Sequence, residues 1–261
     1  GVYALLLDPQ GGIETELYVY NAGERLLLFV PPERTTPLVE DWSGKVFIQD
    51  VEIEDATELS DRKSGSAGMN ATEKVASVLG GAAAPEPQLS FVRGSMEQCG
   101  VTVIATDAPT GEEGYEVVCD ADDAPRVFDT LLTRGVNAAP FGYRTWELLT
   151  AEAGTPLFDF ELEGKIPNVA GVRNALDFEK GCYVGQEVVS KVENRGRPSE
   201  RLVGVRLGAV PEAGAAVFDG DSAVGEVTRG FEAPTLDAPA AVAYVGFETD
   251  GEVTVRVDGS E

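Results

Sequence analysis

Apolar positions alternate or cluster in short runs at the start of the chain. Val2 to Leu7, Ile13 to Tyr20 and Arg25 to Val30 are β-rich and are separated by Pro9-Gln10-Gly11-Gly12 and Asn21-Ala22-Gly23, which predicts a meander of three strands. The outer two are apolar almost throughout, so cover on both faces is expected. Val46 to Ile53 alternates and is expected to join the sheet, whereas the polar, Gly/Ser-rich stretch from Glu58 to Gly68 reads as a loop. Asn70 followed by Glu73 has the form of a capping box and opens a helix running to Leu79 before Gly80-Gly81. Val101 to Thr106 and Tyr115 to Cys119 read as strands joined by the turn Thr110 to Gly114.

Further along, a helix is expected from near Pro125 to Gly135, burying Val127, Phe128, Leu131 and Leu132. Another spans roughly Tyr143 to Ala153 with Trp146, Leu149 and Ala153 on one face, and a third begins at Gln186 with Val188, Val189 and Val192 at helical spacing. After Arg197-Pro198-Ser199 the pattern becomes one of short strands, Leu202 to Leu207, Ala223 to Thr228, Ala241 to Val245 and Val253 to Val257. That describes a small antiparallel barrel or sandwich. The fold class is therefore α+β: an antiparallel sheet body with helices over 1–198, followed by a small C-terminal antiparallel β-barrel over 199–261.

Composition changes this picture in one respect. Hydrophobic content is an ordinary 43%, but 45 acidic against 20 basic residues leave a net charge of −25. Such a field repels phosphate backbones and anionic lipid surfaces, so neither nucleic acid nor a membrane is an expected direct partner. Lysine is confined to Lys45, Lys63, Lys74, Lys165, Lys180 and Lys191. This surface suits a high-salt cytoplasm, where self-repulsion is screened, and points to a halophile. No apolar run approaches a membrane span.

The chain has no histidine, which removes Ser-His-Asp and Cys-His nucleophile pairs and every His-based metal site. Cys99, Cys119 and Cys182 form no C-x-x-C and cannot supply four thiolates, so no metal site is expected. An odd number of cysteines with no secretory signal indicates a reducing, cytoplasmic location.

Candidate chemistry centres on Lys180-Gly181-Cys182-Tyr183-Val184-Gly185-Gln186-Glu187, where a cysteine follows a lysine just before a helix. An ammonium and a helix N-terminus both favour a thiolate, although a lone cysteine is as readily a small buried hydrophobe. Cys119, in an apolar strand, reads as inert, and Cys99, before Gly100, as accessible without being activated. Lys180 and Arg173 are cations that could hold an anionic ligand; the alternative for Arg173 is a surface ion pair with Asp177, Glu179 or Glu187. Glu116 follows a tight glycine turn, and a strand there aims it at one face of a sheet.

The octapeptide from Lys180 to Glu187, extended by Arg195-Gly196, resembles the K-G-C-Y-x-G-Q-E motif of the YgfZ family of folate-binding proteins, related to the glycine-cleavage T-protein. Thr110-Gly111-Glu112-Glu113-Gly114-Tyr115-Glu116, Glu152-Ala153-Gly154 and the β-rich C-terminal part extend the resemblance over nearly the whole chain. It implies a YgfZ-like tetrahydrofolate-binding protein, an accessory factor in assembly or repair of iron-sulfur client proteins, with Cys182 and Lys180 as the functional pair. It further implies folate contacts from Glu116, Tyr115, Arg173, Gly185, Gln186 and Glu187, with Glu116 on the pterin edge. Members of the family carry several dozen residues upstream of the position at which this chain begins, at Gly1 without a methionine, so the sequence reads as a fragment.

Departures from the T-protein pattern qualify the reading. The aspartate of its G-G-x-x-D is Thr15 here, the tyrosine before T-G-E is Pro109, and the arginine two residues before E-A-G is Thr150. Glu14 and Glu16 flank Thr15, so a register shift could supply the missing carboxylate. Val224-Gly225-Glu226-Val227-Thr228-Arg229-Gly230 resembles the G-x-V-T-S-G element of the C-terminal barrel and reads as structural. Two other functions stay open, a tetrahydrofolate-dependent aminomethyltransferase and a folate-binding module without catalysis.

The acidic field opposes the compact state until it is screened. The melting temperature is therefore expected to rise markedly from low to molar salt, and a flat salt profile in a thermal melt would contradict this reading of the surface.

Overall fold

The structure is a computed structural model and describes residues 1–47, 50–66, 71–135 and 138–256. The chain divides into two compact units, Gly1–Val2 with Tyr18–Gly142, and Tyr3–Leu17 with Tyr143–Glu261. The N-terminal meander is present as β1 (Val2–Leu7), β2 (Ile13–Asn21) and β3 (Leu26–Phe29), in the order β1-β2-β3. Its outer strands are not covered on both faces, because Val2 and Leu26 are about 60% exposed (61% and 62%).

The first unit continues with α1 (Pro32–Ser43), β4 (Ser60–Ser66), α2 (Ala71–Val78), β5 (Phe91–Met96), β6 (Cys99–Ala105), β7 (Gly114–Asp120) and α3 (Ala124–Arg134). The last four strands form an antiparallel sheet ordered β4-β7-β6-β5. Burial in β7 alternates: Tyr115, Val117 and Cys119 join a core with Val75 and Ala71 of α2, Val127 of α3, and Val101 and Val103 of β6. Glu116 and Val118 point to the other face.

Three expectations are corrected here. The alternating segment after Val46 forms no strand over residues 50–56, and Phe47 is 84% exposed. Ile48 and Gln49 lie outside the described residues. The stretch read as a loop supplies β4 instead, which pairs with β7 from Ser60↔Asp120 to Ser66↔Gly114. Backbone pairing carries an edge strand, and polar side chains suit one, so composition concealed it. In α3 the buried positions are Ala124, Val127 and Thr130, while Phe128 is exposed. Asn70, the expected cap of α2, lies outside the described residues.

The second unit holds α4 (Tyr143–Ala153), a π-helical turn (Phe158–Leu162), α5 (Pro167–Ala170), α6 (Gln186–Arg195) and the strands β8 (Glu200–Arg206), β9 (Ala216–Asp219), β10 (Ser222–Ala233), β11 (Ala238–Gly246) and β12 (Thr254–Val255). α4 buries Thr150 and Ala151, not Ala153, which is exposed. The five strands are antiparallel in the order β12-β9-β10-β11-β8, around Val217, Val227, Ala241, Ala243 and Val245.

A bulge interrupts β10 between Val227 and Arg229, leaving Thr228 as the extra residue opposite β11. Successive strand residues ordinarily face opposite ways. The bulge lets Thr228 Oγ and Arg229 Nε both donate to Glu161 Oε1, at 2.7 and 2.8 Å. Glu161 sits in the π-helical turn, and its other oxygen accepts the Leu157 amide at 2.9 Å. Arg229 also donates to Thr150 Oγ at 3.1 Å and to the carbonyls of Glu147 and Thr155 at 3.1 and 3.0 Å. The Tyr244 hydroxyl of β11 donates to the Glu161 carbonyl at 2.8 Å. Burial, with Glu161 and Glu200 nearby, holds the Tyr244 hydroxyl protonated far above the ordinary range.

Candidate functional site

The octapeptide motif forms a turn that leads into α6, and in the second unit it closes on the turn joining β1 to β2. That turn is held by Asp8, whose Oδ1 accepts the amides of Gln10 and Gly12, each at 2.8 Å. Gly185 packs against it so closely that a Cβ would lie 2.6 Å from the Asp8 carbonyl oxygen and 2.9 Å from Gly11 Cα. Gly185 also has φ +80°, so both space and backbone conformation require glycine. Gly11 in turn lies within 3.1 Å, measured from an ideal Cβ, of the Val188 side chain. Two glycine signals far apart in sequence thus make one close backbone contact.

Tyr183, Gln186, Glu187, Ser190, Lys191 and Asn194 line a cleft of about 660 Å³ along α6. Gln186 folds back so that its Oε1 accepts the Tyr183 backbone amide at 3.3 Å, and the Gln186 backbone N–H donates to the Tyr183 carbonyl at 3.2 Å. The Tyr183 hydroxyl is buried without a hydrogen-bond partner, and burial raises its pKa.

Cys182 is exposed and unbonded to another cysteine. The Lys180 ammonium lies 4.7 Å from the centre of the Tyr183 ring. Arg173 is engaged by Glu193, at 2.5 Å from Oε1 and 2.7 Å from Oε2, rather than by Asp177, Glu179 or Glu187. Glu193 also accepts from Asn168 Nδ2 at 3.1 Å.

In the first unit, Tyr115 is buried and its hydroxyl shares a 2.8 Å hydrogen bond with Thr72 of α2. Glu116, next along β7, is half-buried on the opposite face, level with Ile104. Tyr115 and Glu116 therefore present to different sides of one sheet. Cys99 is buried, contrary to the accessibility expected from its neighbouring glycine. Burial and Asp123 raise its pKa against the opposing effect of Arg126.

Among the described residues no three His, Cys, Asp or Glu side chains cluster to hold a metal, and no helix is long and apolar enough to cross a membrane.

Comparison with known proteins matches residues 1–180 to the GCVT N-terminal domain and residues 200–261 to the glycine cleavage T-protein C-terminal barrel domain. The chain belongs to the glycine cleavage T-protein family. Relatives include an aminomethyltransferase of Geobacillus thermodenitrificans, 30% identical over 98% of this chain and 72% of that protein, and one of Bacillus subtilis, 27% identical over the same shares. The glycine cleavage system aminomethyltransferase T of Bartonella henselae has the same fold, with a TM-score of 0.81 at 22% identity, over 99% of this chain and 72% of that one. These similarities are to aminomethyltransferases, and the narrower YgfZ reading goes beyond them.

Measured against the T-protein pattern, Thr15 lies buried on the face of β2 shared by Ile13 and Leu17, and its hydroxyl donates to the Glu16 carbonyl at 3.2 Å. Glu14 and Glu16 lie on the other face, where Glu16 accepts from the Tyr3 hydroxyl at 3.1 Å. Neither takes the place of a carboxylate at 15. At 150, by contrast, a cation is present from elsewhere: Arg229, standing where the pattern has serine, brings its guanidinium to Thr150. The turn chemistry of that hairpin accounted for its glycines, so the arginine escaped notice in the sequence.

Alkylation at pH 7 to 8 with peptide mapping is expected to modify Cys182 first, and Cys99 and Cys119 only on unfolding. Earlier labelling of either buried thiol would contradict this.

Proposed function

We propose that this protein binds tetrahydrofolate and acts in folate-dependent one-carbon transfer of the aminomethyltransferase type. The observation that carries the reading is the coverage of the chain by both domains of the T-protein family. Glu116 supports it, being the glutamate that matches the pterin-contacting position of the T-G-E-x-G-Y-E motif and lying half-buried on a sheet face. A carboxylate there accepts two parallel N–H bonds from an amino-pyrimidinone edge. In this reading Tyr115 acts from behind, anchoring β7 to α2.

One pair of observations favours a second reading. Thr15 supplies no carboxylate, and Cys182 is exposed within an intact octapeptide motif. Both suit a YgfZ-like, folate-binding accessory factor for iron-sulfur client proteins better than a transferase. Assay of one-carbon transfer from an aminomethyl donor to tetrahydrofolate separates the two: turnover supports the first, and folate binding without turnover supports the second.

Both readings require Glu116. Calorimetric titration with tetrahydrofolate is expected to show Glu116→Ala weakening binding by about 1.5 to 3 kcal/mol, the scale of a hydrogen bond to a charged group. Unchanged affinity would remove Glu116 from the site.

A further inference from the structure

Two segments of the second unit that lie far apart in sequence, the Asp8–Gly12 turn and the octapeptide motif, meet backbone to backbone. The turn is closed by its own hydrogen bonds. Asp8 Oδ1 accepts two amides, the Asp8 N–H donates to the Gly12 carbonyl at 2.9 Å, and the Gly11 N–H donates to the Asp8 carbonyl at 3.0 Å. Just beyond it the Ile13 N–H donates to the Lys165 carbonyl and the Gly164 N–H to the Ile13 carbonyl, each at 2.9 Å. The turn is thus tied into the unit independently of the motif.

α6, by contrast, begins without help from its own side chains. Its N-cap is Gly185, and no side chain caps it. The Gly185 carbonyl accepts from the Val188 and Val189 amides at 3.1 and 3.3 Å, so the place of Gly185 sets where the helix starts. The atoms nearest a Cβ at Gly185 belong to the backbone of Asp8 and Gly11, and those nearest a Cβ at Gly11 belong to Val188. At the other end of the motif, Asp177 Oδ1 accepts the amides of Glu179 and Lys180 at 2.8 and 3.2 Å. Cys182 lies exposed between these two aspartate-held points. The Gly-Gly of the T-protein pattern is present here although its aspartate is Thr15, and the contact with Gly185 gives Gly11 a task that does not involve residue 15.

We propose that Asp8 is a positioning residue for the octapeptide motif, acting through Gly11 and Gly185 to fix the start of α6 and with it the segment that presents Cys182. Its carboxylate touches neither the motif's side chains nor the thiol; it shapes the turn on which Gly185 is seated. The inference rests on the reading of the motif as a functional segment with Cys182 as its thiol.

The test is a series at position 8, read by peptide-resolved hydrogen exchange and by the alkylation rate of Cys182 at pH 7, in molar salt and well below the melting temperature. Asparagine keeps the acceptor oxygen, serine offers a weaker one and alanine none. Asp8→Asn is expected to match the wild type. Asp8→Ala is expected to speed exchange in α6 by about tenfold through local opening, with β6 and β7 of the first unit unchanged. Alkylation of Cys182 is expected to slow by about threefold, because a formed helix N-terminus favours a thiolate and a frayed one does not. Asp8→Ser should fall between, and it decides by the same criteria if Asp8→Ala fails to fold. Neither readout needs folate, so failure of tetrahydrofolate to bind counts against the proposed function and failure of this series counts against Asp8. Wild-type exchange and alkylation in a folded Asp8→Ala, a rise in exchange shared equally by β6 and β7, or an Asp8→Asn that behaves like Asp8→Ala would each overturn the proposal.

Discussion

The second unit depends on a guanidinium and a carboxylate held almost entirely out of water. Arg229 is 7% exposed and Glu161 1%. Desolvating both is expensive, and the pair is sustained only because nearly every donor and lone pair is used. Nε and both terminal nitrogens of Arg229 are engaged, and both oxygens of Glu161 accept. The bulge in β10 makes this saturation possible, because a regular strand would turn Thr228 and Arg229 to opposite faces. Through these bonds one side chain ties β10 to α4, to the chain just after it and to the π-helical turn. Tyr244 adds β11 through the backbone of the same turn.

The same unit carries the octapeptide motif, where the constraint is steric. Gly185 and Gly11 approach at backbone distance, so the geometry of the cleft along α6 is set by the Asp8 turn as much as by the motif itself. Among the described residues of this unit, the exposed ion pairs Arg197–Glu248 and Arg201–Asp250 are worth little individually in a chain of net charge −25. Arg173 with Glu193 and Lys165 with Glu200 are partial exceptions, each having a half-buried partner. Specific positioning therefore comes from buried contacts and glycine packing, while the acidic surface sets the response to salt.

Much of this was legible in the sequence where local chemistry and tertiary partner agree. β6 and β7 were evident because apolar residues flank a Thr-Gly turn, and α6 because its valines repeat at helical spacing. α1 was not assigned from the sequence; Pro32 stands in its first turn, where proline is tolerated. β4 was missed because a strand at a sheet edge can be polar, and residues 50–53 were misassigned because alternation without a partner strand does not make a sheet. Of the candidate site residues, Glu116 was placed on a strand face by its turn, and its assignment to folate came from the family resemblance. The opposite orientation of Tyr115 follows from strand alternation alone. Arg229 lay outside sequence reasoning, because its role arises from a contact 68 residues away along the chain.

The central claim is that the Arg229–Glu161 contact organises the second unit, and a double-mutant cycle in urea tests it directly. Arg229→Met alone is expected to cost about 3 to 5 kcal/mol, because Glu161 is left as an uncompensated buried charge. Replacing both residues together, Arg229→Met with Glu161→Leu, should recover a large part of that loss. A loss below about 0.5 kcal/mol for Arg229→Met, or losses for Arg229→Met and Glu161→Leu that simply add in the double variant, would contradict the account.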